Sequence, residues 1–355
     1  MIDSIIESKK EGNMTDQHHP SPTIALIGCG AIAEQYYLPV ISANPIIAQN
    51  LVLVDPDLPR IEELAKQMNA RMCLQDYRDL PADVQGAIIA TPTHLHHPMA
   101  RDLIARGMHI LCEKPLADTA AHARELVELA EQKGTTIAVN YLQRLIPSFA
   151  KVKEILSQRA LGELQSIEYV VGEEFDWPTI SGFYFNAPLT SRGVLRDRGA
   201  HVMDHICWWL DGKPTLIRSQ NDAYDGSECV SRIEFEHHKC RGTILLSWLA
   251  KTPCTFKVVC EHGVIEGEVY DYQTISIQKG SEKKQKFKLP GDKTKIAIAN
   301  RIVNNFVEII QHRAQPLISG QDVLPSIEFI DECNEQATRF EMPWYEIVES
   351  AHGSN

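Results

Sequence analysis

The chain has 355 residues, more than one hydrophobic core usually organises, so two domains are expected. Hydrophobic residues at 44% and charged residues at 23% give the composition of a folded protein, and a formal net charge of −12 argues against gripping nucleic acid or an anionic membrane by bulk electrostatics. Nine cysteines with no CxxC pair do not form a disulfide framework, so reduced thiols and a cytoplasmic setting are expected.

Residues 1–21 carry early acids and no apolar run, which reads as a disordered tail rather than a signal peptide. No stretch approaches eighteen consecutive apolar residues, so no membrane-spanning helix is expected. From Thr23 onward, the short β-branched runs TIALIGCG, LVLVD, GAIIATP, HILCEKP and TIAVNY read as buried strands. They alternate with IEELAKQMNA, HPMARDLIARG and TAAHARELVELAEQKG, which carry helical spacing. The alternation predicts a Rossmann domain with a doubly wound parallel sheet over residues 22–144.

Residues 145–355 have a different texture. KVKEILSQRALG reads as a helix and LQSIEYVVGEEF as a strand. CVSRIEFEH, RGTILLSWLA, CTFKVVCEHG, VIEGEVYDY, QTISIQKG and KQKFKLP follow as consecutive strands with tight links, which predicts an α+β domain with an open antiparallel sheet. TKIAIANRIVNNFVEIIQHRAQ is expected to close this domain as a long helix, and PSIEFIDECNEQATRFEM to form a last one.

The segment IALIGCGAIAEQ puts Gly28, Gly30 and Ala33 in a GxGxxA pattern directly after a strand and at the head of a helix, with Gly28, Gly30, Ala31 and Ile32 expected to bind the cofactor. The first glycine permits a tight turn, the second lets backbone approach a pyrophosphate, and the small third residue lets helix and strand pack closely. LVLVD then ends in Asp55, where the acid that binds an adenosine ribose is expected. A carboxylate accepts from a ribose 2'-hydroxyl and repels a 2'-phosphate, so NAD is favoured over NADP. Arg60 lies near enough to soften that preference, although an exposed helical turn is the simpler place for it.

GVLRDRGAHVMDH, residues 193–205, holds Asp197 four residues before His201. On a helix these two share a sector with Asp204 and Trp208, opposite Leu195, Val202, Ile206 and Trp209. The Asp197 carboxylate could then orient His201 and raise its basicity, as a general base requires. The plainer reading is an aspartate stabilising its own helix start beside a core histidine.

ATPTHLHHP (90–98), CEKPLA (112–117) and the Asp197/His201 pair, taken with the GxGxxA loop, resemble the glucose-fructose oxidoreductase, inositol dehydrogenase and rhizopine-catabolism family, Gfo/Idh/MocA. The resemblance implies a nicotinamide cofactor and a secondary alcohol or ketone of a sugar, nucleotide sugar or cyclitol as substrate. It also implies a second-domain sheet used for oligomer contacts, with a homodimer or homotetramer expected. Lys114 would contact the reacting hydroxyl and the nicotinamide ribose, His201 would be the acid/base, and Asp197 its partner. Thr91, Pro92, Thr93 and His96 would line the nicotinamide side, with Glu113 near the same ribose, and the Lys114–Pro115 peptide would be cis.

The sequence departs from the family pattern where Arg192, Arg196 and Arg198 crowd the aspartate. They could read an anionic substrate group, or form salt bridges around a helix start. Gln143 stands before Arg144 where relatives carry two basic residues, which leaves a substrate contact there in doubt. His94, His96, His97 and the His201/His205 pair lack a complete metal-ligand set, so no metal is expected. Asp176, Trp177 and the following FYFNAP could cover the site. Two rival functions remain open: an NAD-dependent glycoside hydrolase of the same fold, and a dinucleotide-binding sensor without turnover.

Overall fold

The structure, a computed structural model, describes residues 22–175, 193–223 and 226–341. The expected tail, the covering segment from Asp176 through FYFNAP, and Arg192 lie outside the described residues.

Six parallel strands form the first sheet: β1 (Ile24–Ile27), β2 (Leu51–Val54), β3 (Met72–Leu74), β4 (Gly86–Ile89), β5 (His109–Cys112) and β6 (Ile137–Val139), in the order β3-β2-β1-β4-β5-β6. The five expected strands are all present, and all but β3 are buried along their full length, as apolar runs covered on both faces should be. Short and half-buried, β3 gave no periodic signal. The strand order reverses between β1 and β4, and ligands of doubly wound sheets bind at the carboxyl ends of strands beside such a switch.

The second sheet has nine strands: β7 (Leu164–Gly172), β8 (Thr215–Asn221), β9 (Val230–His237), β10 (Cys240–Ser247), β11 (Thr255–Cys260), β12 (Gly263–Glu268), β13 (Thr274–Lys279), β14 (Gln285–Lys288) and β15 (Thr338–Arg339). Their order is β14-β13-β12-β11-β7-β10-β9-β8-β15. Most pairings are antiparallel, as expected, but β7 runs parallel to β10 and β15 runs parallel to β8. Parallel neighbours need a long crossover, and the helix Val194–Trp209 lies in the one that separates β7 from β8, β9 and β10.

Two elements near the C-terminus depart from expectation. The last long helix is Gly320–Glu335, starting five residues before Pro325. Ser319 and Asp322 form a reciprocal capping box there, at 2.8 and 3.2 Å, which fixes the start upstream of the proline. The helix Lys295–Ile310 does not merely close the second half; it returns to the first and packs on β4. A Cβ at Gly86 would come within 2.5 Å of Ile310 Cδ1 and 3.0 Å of Phe306 Cζ, so a side chain there would push this helix off the sheet. Beyond β6, Val139 N donates to Ile318 O at 3.0 Å and Ala138 bridges Ser319 in antiparallel fashion, which extends the sheet with chain from the far end of the sequence.

Arg144, just after β6, joins the halves. It donates bidentately to Asp204 at 2.7 and 2.8 Å and to Asp322 O at 3.0 Å, and its guanidinium lies 5.5 Å from the Trp208 ring centroid. Both partners are buried, so this arginine is committed to the fold and not to a substrate. The sector shared by Asp197, His201, Asp204 and Trp208 is therefore divided: Asp204 is buried against Arg144, whereas Asp197, His201 and Trp208 are only partly buried.

Candidate active site

The turn after β1 is set by backbone geometry. Gly28 has φ +89°, and a Cβ on it would fall 2.7 Å from Ala90 O, so only glycine fits. A Cβ on Gly30 would meet nothing within 4 Å, which leaves open space above the loop for a pyrophosphate to approach. The helical stretch begins at Ala31 and Ile32 and continues as a π-helical turn, Ala33–Tyr37, with Ala33 buried against the core.

Asp55, at the end of β2, fixes this loop. Its Oδ2 accepts from Cys29 N at 2.8 Å and its Oδ1 from Asp57 N at 3.0 Å, and each oxygen keeps a lone pair for a ribose hydroxyl. Arg60 is occupied by Glu34 at 2.8 Å. The glycine geometry, the open space and the placed carboxylate fit a dinucleotide.

Next along the edge, β4 and β5 deliver ATPTHLHHP and CEKPLA. Thr91, Pro92 and Thr93 follow β4 directly, where they flank the switch point. His96 is buried instead of lining the cleft, with Nδ1 2.8 Å from Pro115 O and Nε2 2.8 Å from Thr91 O. Its ring ties the two loops together, so neither nitrogen is left for a cofactor. Burial pushes the His96 pKa down, against the pull of both carbonyls. His97 pairs with Glu125 at 3.0 Å and stacks on His122 at 4.0 Å between ring centroids.

Glu113 is buried in a network with two residues that sequence reasoning did not single out. Its Oε1 accepts from Tyr37 Oη at 2.7 Å and from Asn140 Nδ2 at 2.5 Å, and Asn140 also donates to Tyr37 Oη at 2.9 Å. These bonds anchor the peptide that carries Lys114, and the Lys114–Pro115 bond is cis as expected.

The second half contributes the helix Val194–Trp209. Its first turn is capped from β9's approach by Glu228, whose carboxylate accepts from Gly193 N at 2.9 Å and Leu195 N at 3.0 Å. The asparagine- or serine-type cap that sequence reading looks for is absent because the acid arrives from elsewhere in the chain. One turn in, Lys114 Nζ donates to both Asp197 Oδ1 and Asp197 O at 3.1 Å.

Asp197 is thus the partner of Lys114, not the orienting group expected for His201. His201 Nδ1 is buried and has no hydrogen-bond partner among the described residues, and the Tyr141 ring stands edge-on at 5.9 Å. The direction of its pKa is likewise opposite to expectation. Burial lowers it well below the usual histidine range, and Lys114, His205, Lys295 and Arg198 lower it further. His205 belongs to the core: its Nδ1 lies 2.9 Å from Tyr169 Oη, and its ring stacks on Trp209 at 5.6 Å.

Of the flanking arginines, Arg196 and Arg198 form salt bridges, and Arg192 lies outside the described residues. Arg196 pairs with Asp331 at 2.5 Å on the helix Gly320–Glu335, and Arg198 reaches Glu173 at 3.4 Å and Asp197 at 4.0 Å. Glu173 also accepts from Tyr270 Oη at 2.7 Å. Lys295, at the start of its helix, stands near enough to Lys114, Arg198 and Glu173 to feel all three charges. Neither Lys295 nor Glu173 carried a sequence signal, since their strand and helix are far from every motif.

This site geometry accompanies matches to known proteins. The profile of the Gfo/Idh/MocA oxidoreductase family, NAD-binding Rossmann fold, matches residues 23–141, and that of the Gfo/Idh/MocA C-terminal domain matches residues 149–266. The chain belongs to the Gfo/Idh/MocA family. The rhizopine catabolism protein MocA of Rhizobium meliloti is 28% identical over 176 residues, 50% of this chain and 50% of that protein. Inositol 2-dehydrogenase of an Arthrobacter species is 29% identical over 198 residues, 55% of this chain and 56% of that protein. The chain thus spans about half the length of these Gfo/Idh/MocA relatives. In fold it is similar to levoglucosan dehydrogenase in complex with NADH and levoglucosan, with TM-score 0.78 and 18% identity over 89% of this chain and 96% of that one. It is equally similar to a 3-ketoreductase from Actinomadura kijaniata in complex with NADP and TDP-benzene, with TM-score 0.78 and 17% identity over 91% and 100%.

Proposed function

We propose that this Gfo/Idh/MocA protein is an NAD-dependent dehydrogenase that interconverts a secondary alcohol of a sugar, nucleotide sugar or cyclitol and the corresponding ketone. The observation that carries the reading is the approach of Lys114, from the dinucleotide half, to Asp197, one helical turn before His201. The Gly28–Gly30 loop and Asp55 would hold the dinucleotide, and the carboxylate at that position favours NAD.

A nicotinamide bound there would supply the hydride acceptor for the carbinol carbon. The Lys114 ammonium, held by Asp197, donates to the substrate oxygen and stabilises the negative charge that develops on it. His201 takes the hydroxyl proton, and gives it back in the reverse direction. Burial, with the surrounding cations second, holds the ring neutral, which leaves it free to accept a proton but makes it a weaker base than an ordinary histidine. Asp197 acts through Lys114 and is a positioning residue.

Incubating the protein with NAD and a panel of sugars, nucleotide sugars and inositols, and following NADH absorbance, tests the proposal. Substrate-dependent NADH formation that Lys114→Ala abolishes supports it. Release of a free sugar without net NADH would instead indicate the glycoside hydrolase.

A further inference from the structure

A closed ring of contacts surrounds the open side of the glycine loop. Glu34 N donates to Gly30 O at 3.0 Å, which seats Glu34 one turn beyond the second glycine. The Glu34 carboxylate accepts from Arg60 Nη2 at 2.8 Å. Arg60 N donates to the Asp57 carboxylate at 3.2 Å, and Asp57 N donates to Asp55 Oδ1 at 3.0 Å. Asp55 Oδ2 accepts from Cys29 N at 2.8 Å, and Cys29 leads back to Gly30. Three acids and one cation share this ring, and among the described residues Arg60 is the one cation that pairs with Glu34, Asp55 or Asp57.

The Glu34–Arg60 pair does little for the fold. The two side chains are 49% and 29% exposed, and ion pairs at such positions add little to stability. What the pair does is occupy Arg60. An arginine fork is the side chain best matched to a phosphate, and this one is tied into the same ring as the proposed ribose ligand. The 2'-phosphate of NADP is bonded to the oxygen that Asp55 would hold as a hydroxyl in NAD. Entering there, it would meet the carboxylates of Asp55 and Asp57. It could recruit Arg60 only by leaving Glu34 as a third acid without a cation.

We propose that Glu34 is a determinant of cofactor selectivity, which acts by holding Arg60 away from the 2'-position of the adenosine ribose. Discrimination against NADP then has two layers: Asp55 repels the phosphate, and Glu34 withholds the cation that would compensate for it. This rests on Asp55 as the ribose ligand and deepens the NAD reading, but it concerns binding alone and does not depend on turnover.

Dissociation constants of NADH and NADPH, followed by the fluorescence of the bound reduced nicotinamide in the full chain, test the proposal. Glu34→Gln keeps the side chain's size and removes its charge. It is expected to tighten NADPH relative to NADH by about fivefold or more, with NADH affinity within about twofold of the unsubstituted protein. Adding Arg60→Ala to that variant should cancel the gain, since the freed guanidinium supplies it. An unchanged ratio in Glu34→Gln would overturn the proposal. So would a gain that survives Arg60→Ala, because Glu34 would then act only through its own negative charge, and so would a Glu34→Gln variant that loses NADH. An unsubstituted protein that prefers NADPH would sink the NAD reading, yet the pair would stand if Glu34→Gln widened that preference in an Arg60-dependent way. Failure of both dinucleotides to bind would overturn the two together.

Discussion

Lys114 and Asp197 stand 83 residues apart in the chain and meet at 3.1 Å through two hydrogen bonds, one to the carboxylate and one to the backbone carbonyl. Each comes from a different half, so the contact fixes the proposed catalytic ammonium relative to the helix that carries His201. Removing the ammonium should lower turnover far more than dinucleotide affinity. Lys114→Ala is expected to reduce kcat by roughly a hundredfold to a thousandfold, the usual cost of one oxyanion-stabilising donor. Steady-state kinetics beside NADH titration would check this, and a loss confined to NADH affinity would remove Lys114 from the chemistry.

His201→Ala should cost about a hundredfold or more in turnover with NADH binding nearly intact. Full activity in that variant would exclude His201 as the acid/base.

Asp55→Ala removes the acceptor for Cys29 N as well as the proposed ribose ligand. NAD affinity is expected to fall roughly tenfold to a hundredfold, while NADP loses less because the repulsion of its phosphate goes too. Dissociation constants for both cofactors measure the difference, and an equal loss would place the selectivity elsewhere.

The buried Arg144–Asp204 pair gives a stability prediction. Asp204→Asn or Arg144→Met alone leaves an uncompensated buried charge or an unfilled donor set, for about 3–5 kcal/mol of destabilisation. The double replacement should cost less than the sum of the two. Urea denaturation of the three variants supplies the cycle, and strict additivity would mean the pair is not coupled.

Acid should destabilise the protein early. His205 is fully buried, and burial, with Arg144 second, depresses its pKa to about 3. His201 and His96 are displaced in the same direction. Below pH 6.5 the unfolded chain binds protons that the folded one refuses, so stability is full above that point and declines as pH falls toward the folded values. Each such histidine contributes up to about 1.4 kcal/mol per pH unit. Unfolding free energies at pH 7.5, 6 and 5 should fall steadily, and His205→Gln should flatten the slope; an identical slope would clear His205.

The sequence made the first half readable because its chemistry is local: each motif sits within a few residues of the strand end that presents it. Gly28, Gly30, Asp55 and Lys114 all stand at such ends. What failed was anything decided by distant chain. The i, i+4 spacing correctly placed Asp197 and His201 on one helix, but spacing cannot reveal that Lys114 would capture the carboxylate. Nor could it reveal that burial, with nearby cations second, would lower the histidine pKa it was meant to raise. His96 misled for the same reason, since only the fold shows both nitrogens occupied by Thr91 and Pro115. The mixed pairing of the second sheet depends on where a crossover returns, and short β3 and β15 are recruited by neighbours rather than by their own propensity.

The seating of Phe306 and Ile310 against Gly86 also orders events during synthesis. When the first six strands leave the ribosome, the face of β4 at Gly86 still lacks its cover, and the chain must be made through Ile310 before that cover arrives. Nascent chains halted before residue 295 should therefore expose apolar surface to chaperones even though every strand of the parallel sheet is already available.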